Sequence, residues 1–179
     1  IETDKRLVIV GGTSYTDDYV HFLQEMGKDD PRIIFTGEQT GEILAELYTN
    51  AFLYIQPSES EGLSIALLEA MASALPVLSS DIAENREALG DYGFYFKNKD
   101  IVDLKEQMVY LLQRLDSDDL REFGQAAARR APQRSARAAL TDHGRHDRRA
   151  QLGHGEQIAR DRLALTTLLG ADARVGAGR

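Results

Sequence analysis

The sequence predicts an α/β fold: a Rossmann-like parallel sheet with helices on both faces. Three observations carry this. Short continuous apolar runs end at glycine or proline, as strands buried on both faces do. Segments with apolar residues at helical spacing separate those runs. Strand and helix patterns alternate at short intervals from Leu7 to about Ala128.

Leu7–Val10 (LVIV) reads as a buried strand ending at Gly11-Gly12, and Tyr15–Met26 as a helix with Tyr19, Phe22, Leu23 and Met26 at helical spacing. Ile33–Thr36 is a second strand stopped at Gly37. Ile43–Tyr48 is a short helix with Thr40 as its N-cap. Phe52–Ile55 is a third strand ended by Pro57, and Leu63–Ala74 is a strongly apolar helix. Pro76–Leu78 starts a fourth strand, a first position where proline is tolerated. Ala83–Leu89 reads as a short helix and Phe94–Phe96 as a short strand. Val102–Leu115 is an amphipathic helix with Leu104, Met108, Leu111, Leu112 and Leu115 on one stripe, and Ser117–Ala128 is a further helix.

Past this point the chain changes character. Of 179 residues with net charge −8, residues 1–124 carry −14 and residues 125–179 carry +6, with eleven Arg and no Lys. Every Tyr and Phe lies at or before Phe123, while thirteen Ala and three of the four His follow it. The predicted organisation is a folded domain over 1–130 and an Arg/Ala-rich tail over 131–179, disordered or irregular, with Ile158–Leu169 as its one helical candidate. An altered reading frame or a fusion scar would explain that composition. Zero Cys excludes a disulfide scaffold, a thiolate zinc site and a Cys nucleophile. His143, His146 and His154 have no Cys or acid cluster to complete a metal site, so no metal is expected. Negative net charge argues against nucleic-acid binding. No apolar run reaches the length of about 18 residues that a membrane helix needs.

Ligands of such sheets bind outside the carboxyl ends of the strands. The most informative stretch there is Pro57-Ser58-Glu59-Ser60-Glu61-Gly62-Leu63-Ser64-Ile65, running on to Glu69. A strand ends, a polar loop follows, and a glycine opens a helix whose free N–H groups and partial positive charge suit a phosphate. Gly62 allows close approach to the backbone, and Ser64 adds a hydroxyl. Glu69 is the only charged residue between Gly62 and Ser80, on a helix apolar almost all round. A carboxylate placed there needs partners, and sugar hydroxyls suit it. Eight helical residues rise about 12 Å, roughly the span from a ribose to a sugar across a diphosphate. Taken singly, Glu61 also reads as a solvated loop acid, and Glu69 as a side chain that reaches the surface or pairs with a basic neighbour. The other loop features have plain structural readings: a tight turn at Gly11–Ser14, a surface ion pair between Arg86 and Asp81, Glu84 or Glu87, and a solvated or structural His21.

The stretch from Glu61 to Glu69 resembles the E-x7-E signature of retaining glycosyltransferases of family 4, which have the GT-B fold. LVIVGG, RIIFTGEQTGEILAELY, FLYIQPSESEG, EAMASALPVLSSD and NREALGDYGFYF stand in that family's order and spacing, so the resemblance covers residues 5 to about 130. It implies that Glu61, as the catalytic-site carboxylate, contacts hydroxyls of the donor sugar, and that Glu69 holds the nucleotide ribose. Leu63, Ser64 and Ile65, behind Gly62, would offer backbone amides to the diphosphate, and Glu38 and Gln39 would face the base. No cofactor beyond the nucleotide-sugar substrate and no catalytic metal is implied. Two parts of the family pattern are missing: the N-terminal acceptor domain, and the start of the donor domain, where an Arg and a Lys normally neutralise the diphosphate. Lys5 and Arg6 do not stand in for them. The expectation is a donor-binding half that is inactive alone, from a cytoplasmic enzyme compatible with peripheral membrane association. The alternative is a non-catalytic nucleotide-binding or interaction module on the same fold.

Overall fold

The computed structural model describes residues 1–11, 17–62, 64–114 and 118–131, and the backbone of 166–170. The elements are β1 (Arg6–Val10), α1 (Asp17–Gly27), β2 (Ile33–Gly37), α2 (Gly41–Asn50), β3 (Ala51–Gln56) and α3 (Ile65–Ala72). They continue with β4 (Val77–Ser80), α4 (Ala83–Leu89), a 3₁₀ turn (Gly90–Tyr92), β5 (Phe94–Phe96), α5 (Ile101–Leu112), α6 (Asp118–Arg130) and β6 (Thr166–Gly170).

The six strands form one sheet in the order β2-β1-β6-β3-β4-β5. β1 pairs parallel with β2, and β3, β4 and β5 pair parallel in succession, as the alternating pattern predicts. β6 is the exception. It runs antiparallel between β1 and β3, with Thr166 beside Val10 and Thr167 beside Ile55. The helical pattern read over Ile158–Leu169 is therefore overturned for 166–169, which are strand. A run of β-branched and apolar residues suits a central strand once two strand edges flank it. The rest of the tail, including His143, His146 and His154, lies outside the described residues.

Strand alternation splits the core in two. Leu53, Ile55 and Leu78 face one side, where Phe96, Leu111 of α5 and Leu120 of α6 cover them. Tyr54 and Val77 face the other, with Tyr48 of α2, Leu67, Leu68 and Met71 of α3, and Ala127 of α6. Helices thus lie on both faces, and α6 contributes to both clusters.

Three local expectations change. Thr40 sits at the N-cap position of α2, but its side chain makes no capping bond. α3 begins at Ile65 rather than Leu63, because Ser64 is its cap and the Ser64 hydroxyl accepts from the Leu67 amide. The apolar stripe of α1 is not a core stripe: Tyr19, Phe22 and Met26 are exposed, with Tyr19 and Phe22 stacked on each other. His21 is exposed, Gly12–Ser14 lie outside the described residues, and Arg86 approaches Asp81 at 4.0 Å.

Candidate functional site

The site is built where β3 ends. Leu53, Tyr54, Ile55 and Gln56 are all buried, so the strand delivers the chain from the core straight into the loop at Pro57. That loop is pinned from three sides. The Ser80 hydroxyl, at the end of β4, donates to the Ser58 carbonyl, and the Asn85 amide of α4 donates back to Ser80. Asn98, after β5, donates to the Glu59 carbonyl, and the Lys99 ammonium lies 3.0 Å from the Glu59 carboxylate. Inside the loop, Ser58 Oγ donates to Glu61 Oε1 at 2.5 Å, and Gln56 Nε2 donates to the same oxygen at 2.7 Å. Glu61 is half-buried at the surface, its carboxylate fixed rather than swinging in water.

α3 starts four residues later, at Ile65, with Ser64 as its cap. The Ser64 cap takes the Leu67 amide at 3.3 Å, and the Leu68 amide bonds the Ser64 carbonyl at 3.2 Å. The amides of Ile65 and Ala66 precede the first intrahelical bond and point out of the helix end. Ile65 is exposed, and a Cβ built on Gly62 meets no described atom within 4 Å, so no described residue fills the space beside Gly62. Glu61, Gly62 and Ile65 are thus brought together as one surface, with Ser64 buried behind it. Leu63 lies outside the described residues.

Glu69 is placed differently. It lies just over one turn along α3, only 2% exposed, and its Oε2 accepts from the Tyr48 hydroxyl at 3.2 Å. Tyr48 is a buried residue of α2, and it also donates to the Ala66 carbonyl. The residue chosen from sequence as an anomaly is therefore a core carboxylate tied to α2. Glu38 and Gln39 stand at the start of that same helix, after the edge strand β2. Gly37 (φ 67°) and Gly41 (φ 61°) bracket them in the left-handed region, which glycine adopts without strain. Glu38 is exposed, and the Gln39 amide is spent on the Thr36 carbonyl at 2.8 Å.

The arrangement offers a half-buried carboxylate beside a helix N-terminus at the carboxyl end of a central strand. Its amides and dipole favour a phosphate, and the carboxylate accepts from hydroxyls. Among the described residues no group of three or more His, Asp or Glu is placed to hold a metal ion, and no helix is long and apolar enough to cross a membrane. Sequence reasoning missed Gln56, Ser58, Ser80 and Asn85. Gln56 and Ser80 end strands, Ser58 lies in the loop and Asn85 on α4; their polarity was visible, but their convergence on one loop was not.

Residues 1–114 match the family model described as glycosyl transferases group 1. The chain is 30% identical over 145 residues to the sulfoquinovosyl transferase SQD2 of Arabidopsis thaliana, covering 77% of this chain and 27% of that protein. It is 31% identical over 120 residues to the O-antigen chain mannosyltransferase B of Escherichia coli, covering 67% of this chain and 31% of that protein. Among solved structures, the Anabaena protein HepE in complex with UDP and glucose superposes with a TM-score of 0.63 at 19% identity, over 76% of this chain and 38% of that one. That likeness establishes the fold. The chain spans under a third of the length of these two curated relatives.

Proposed function

Because the chain belongs to the group 1 glycosyl transferases, we propose that it supplies the donor-binding half of an enzyme that moves a sugar from a nucleotide-sugar to an acceptor. The reaction breaks the bond from the anomeric carbon to the diphosphate, and the electron pair leaves with the nucleoside diphosphate. The acceptor hydroxyl oxygen bonds on the same face, its proton passing to the departing diphosphate, with the retention expected of family 4. The amides of Ile65 and Ala66, with the helix dipole behind them, meet the diphosphate and stabilise its charge as it departs. Glu61 accepts from hydroxyls of the donor sugar. Glu69 serves the ribose from inside the fold, sharing its carboxylate with Tyr48, and the loop at Glu38 and Gln39 serves the base.

One observation carries this reading: the Glu61 carboxylate is fixed next to an open helix N-terminus at the end of β3. Catalysis needs an acceptor half facing this surface, so the isolated chain binds donor without forming product. The test is calorimetric titration of UDP-glucose and GDP-mannose into the wild-type chain, Glu61→Gln and Glu69→Gln. Glutamine keeps an acceptor for Tyr48, so Glu69→Gln folds. Wild type binds at least one donor, and each variant loses about tenfold in affinity, the worth of one hydrogen bond to a charged group. Unchanged affinity in Glu69→Gln removes that residue from the site, and no binding by wild type removes the reading.

A further inference from the structure

We propose that Gln56 is a positioning residue of the donor site, its buried amide holding the Glu61 carboxylate and the first turn of α3 in one fixed relation. The proposal deepens the glycosyl-transfer reading and rests on it for the identity of the ligand.

Gln56 ends β3 and is 0% exposed. It shares a face of the strand with Tyr54, two residues back, whose hydroxyl donates to Gln56 Oε1. Its Nε2 points the other way, to Glu61 Oε1 at 2.7 Å, Ser58 Oγ at 2.9 Å and Ser64 Oγ at 3.3 Å. The orientation of the amide is dictated by chemistry. A carboxylate only accepts, so the nitrogen must face Glu61, and the oxygen then takes the tyrosine proton. Reversed, the amide would set oxygen against carboxylate.

The residue type is otherwise unexplained. A strand end this deeply buried is served better by Leu or Val, and an unpaired buried amide is destabilising. Among the described residues Gln56 is satisfied through the bonds just named, and those bonds reach both parts of the site that the proposed function uses. Glu61 is the group assigned to the sugar. Ser64 is the cap of the helix assigned to the diphosphate. One rigid planar amide, itself held by Tyr54, therefore sets where the carboxylate stands relative to the helix amides. Gln56 touches no ligand in this scheme and acts through Glu61.

The experiment uses the full chain with Gln56→Glu and Gln56→Leu, and UDP-glucose, GDP-mannose, UDP and GDP as probes. At about pH 8 Gln56→Glu sets carboxylate against carboxylate and loses roughly tenfold in sugar-nucleotide affinity, with less than about twofold change for UDP or GDP. Lowering the pH to about 5.5 protonates the introduced carboxyl, restores a donor and recovers most of the loss. Gln56→Leu shows the same selective loss with no recovery. A purely structural role predicts equal loss for all four probes at every pH, and that result overturns the proposal, as does wild-type affinity in both variants. A ligand-free measurement separates this from the function itself. The carboxyl carbon resonance of Glu61 moves in Gln56→Leu relative to wild type. If no probe binds wild type, the transferase reading falls; an unmoved resonance removes Gln56 whether or not donors bind.

Discussion

The proposed function gives the site's chemistry to two glutamates eight positions apart, yet their surroundings differ. Glu61 is a surface carboxylate held by Gln56 and Ser58, whereas Glu69 is a core carboxylate bonded to Tyr48. The pair was legible from spacing, because a lone charge on an apolar helix stands out. Gln56 was not legible, since a glutamine at a strand end looks ordinary until the fold brings Glu61 and Ser64 to it. Away from the site, Arg32 forks onto Asp30, with Nε 2.9 Å from Oδ1 and NH2 2.7 Å from Oδ2, and also donates to the Thr3 carbonyl. These hydrogen bonds hold the Asp30 carboxyl at about 2. Its folded value lies below the unfolded one, so its contribution is full above the unfolded value of about 3.9 and disappears as pH falls toward 2. Asp30→Asn is expected to flatten the acid limb of the stability curve in that window and nowhere else, as read by urea unfolding at stepped pH.

The elements from β1 to α6 followed the apolar pattern within a few residues, because an element that buries a face against the sheet must carry the matching period; α1, with Tyr19, Phe22 and Met26 exposed, is the exception. The boundaries that moved did so for local reasons, as at Ser64, which caps α3 instead of joining it. β6 was missed for a tertiary reason: Thr166–Gly170 becomes a strand only between the edges of β1 and β3. Likewise, nothing local announces how closely α6 crosses the turn after α3. A Cβ on Gly124 would stand 2.0 Å from the Ala74 carbonyl oxygen, and Ala74 itself is held at φ 57°. Helix propensity alone would make Gly124→Ala stabilising by about 1 kcal/mol. The close approach reverses the sign, and Gly124→Ala is expected to destabilise by about 2 kcal/mol, as a lower urea midpoint with an unchanged slope.

At the scale of the molecule, the described residues are the acidic, aromatic part of the chain together with the tail strand β6 at the centre of the sheet. α6 ends at Arg130, whose guanidinium closes the body by donating to the carbonyls of Glu87 and Ala88 at the end of α4. Its sheet is parallel except for the tail strand. The ligand surface stands at the carboxyl end of β3, where β6 and β3 meet Thr167 and Ile55 side by side. The proposed function assigns a nucleotide-sugar to this surface, and the chain spans 27% and 31% of the lengths of these two relatives. The central claim is that the diphosphate rests on the first turn of α3 beside Glu61. Backbone amide resonances followed during titration with UDP and GDP test it most directly. The account predicts saturable shifts centred on Gly62, Ser64, Ile65 and Ala66. Saturable shifts confined to other parts of the fold, with these four amides unmoved, would contradict it.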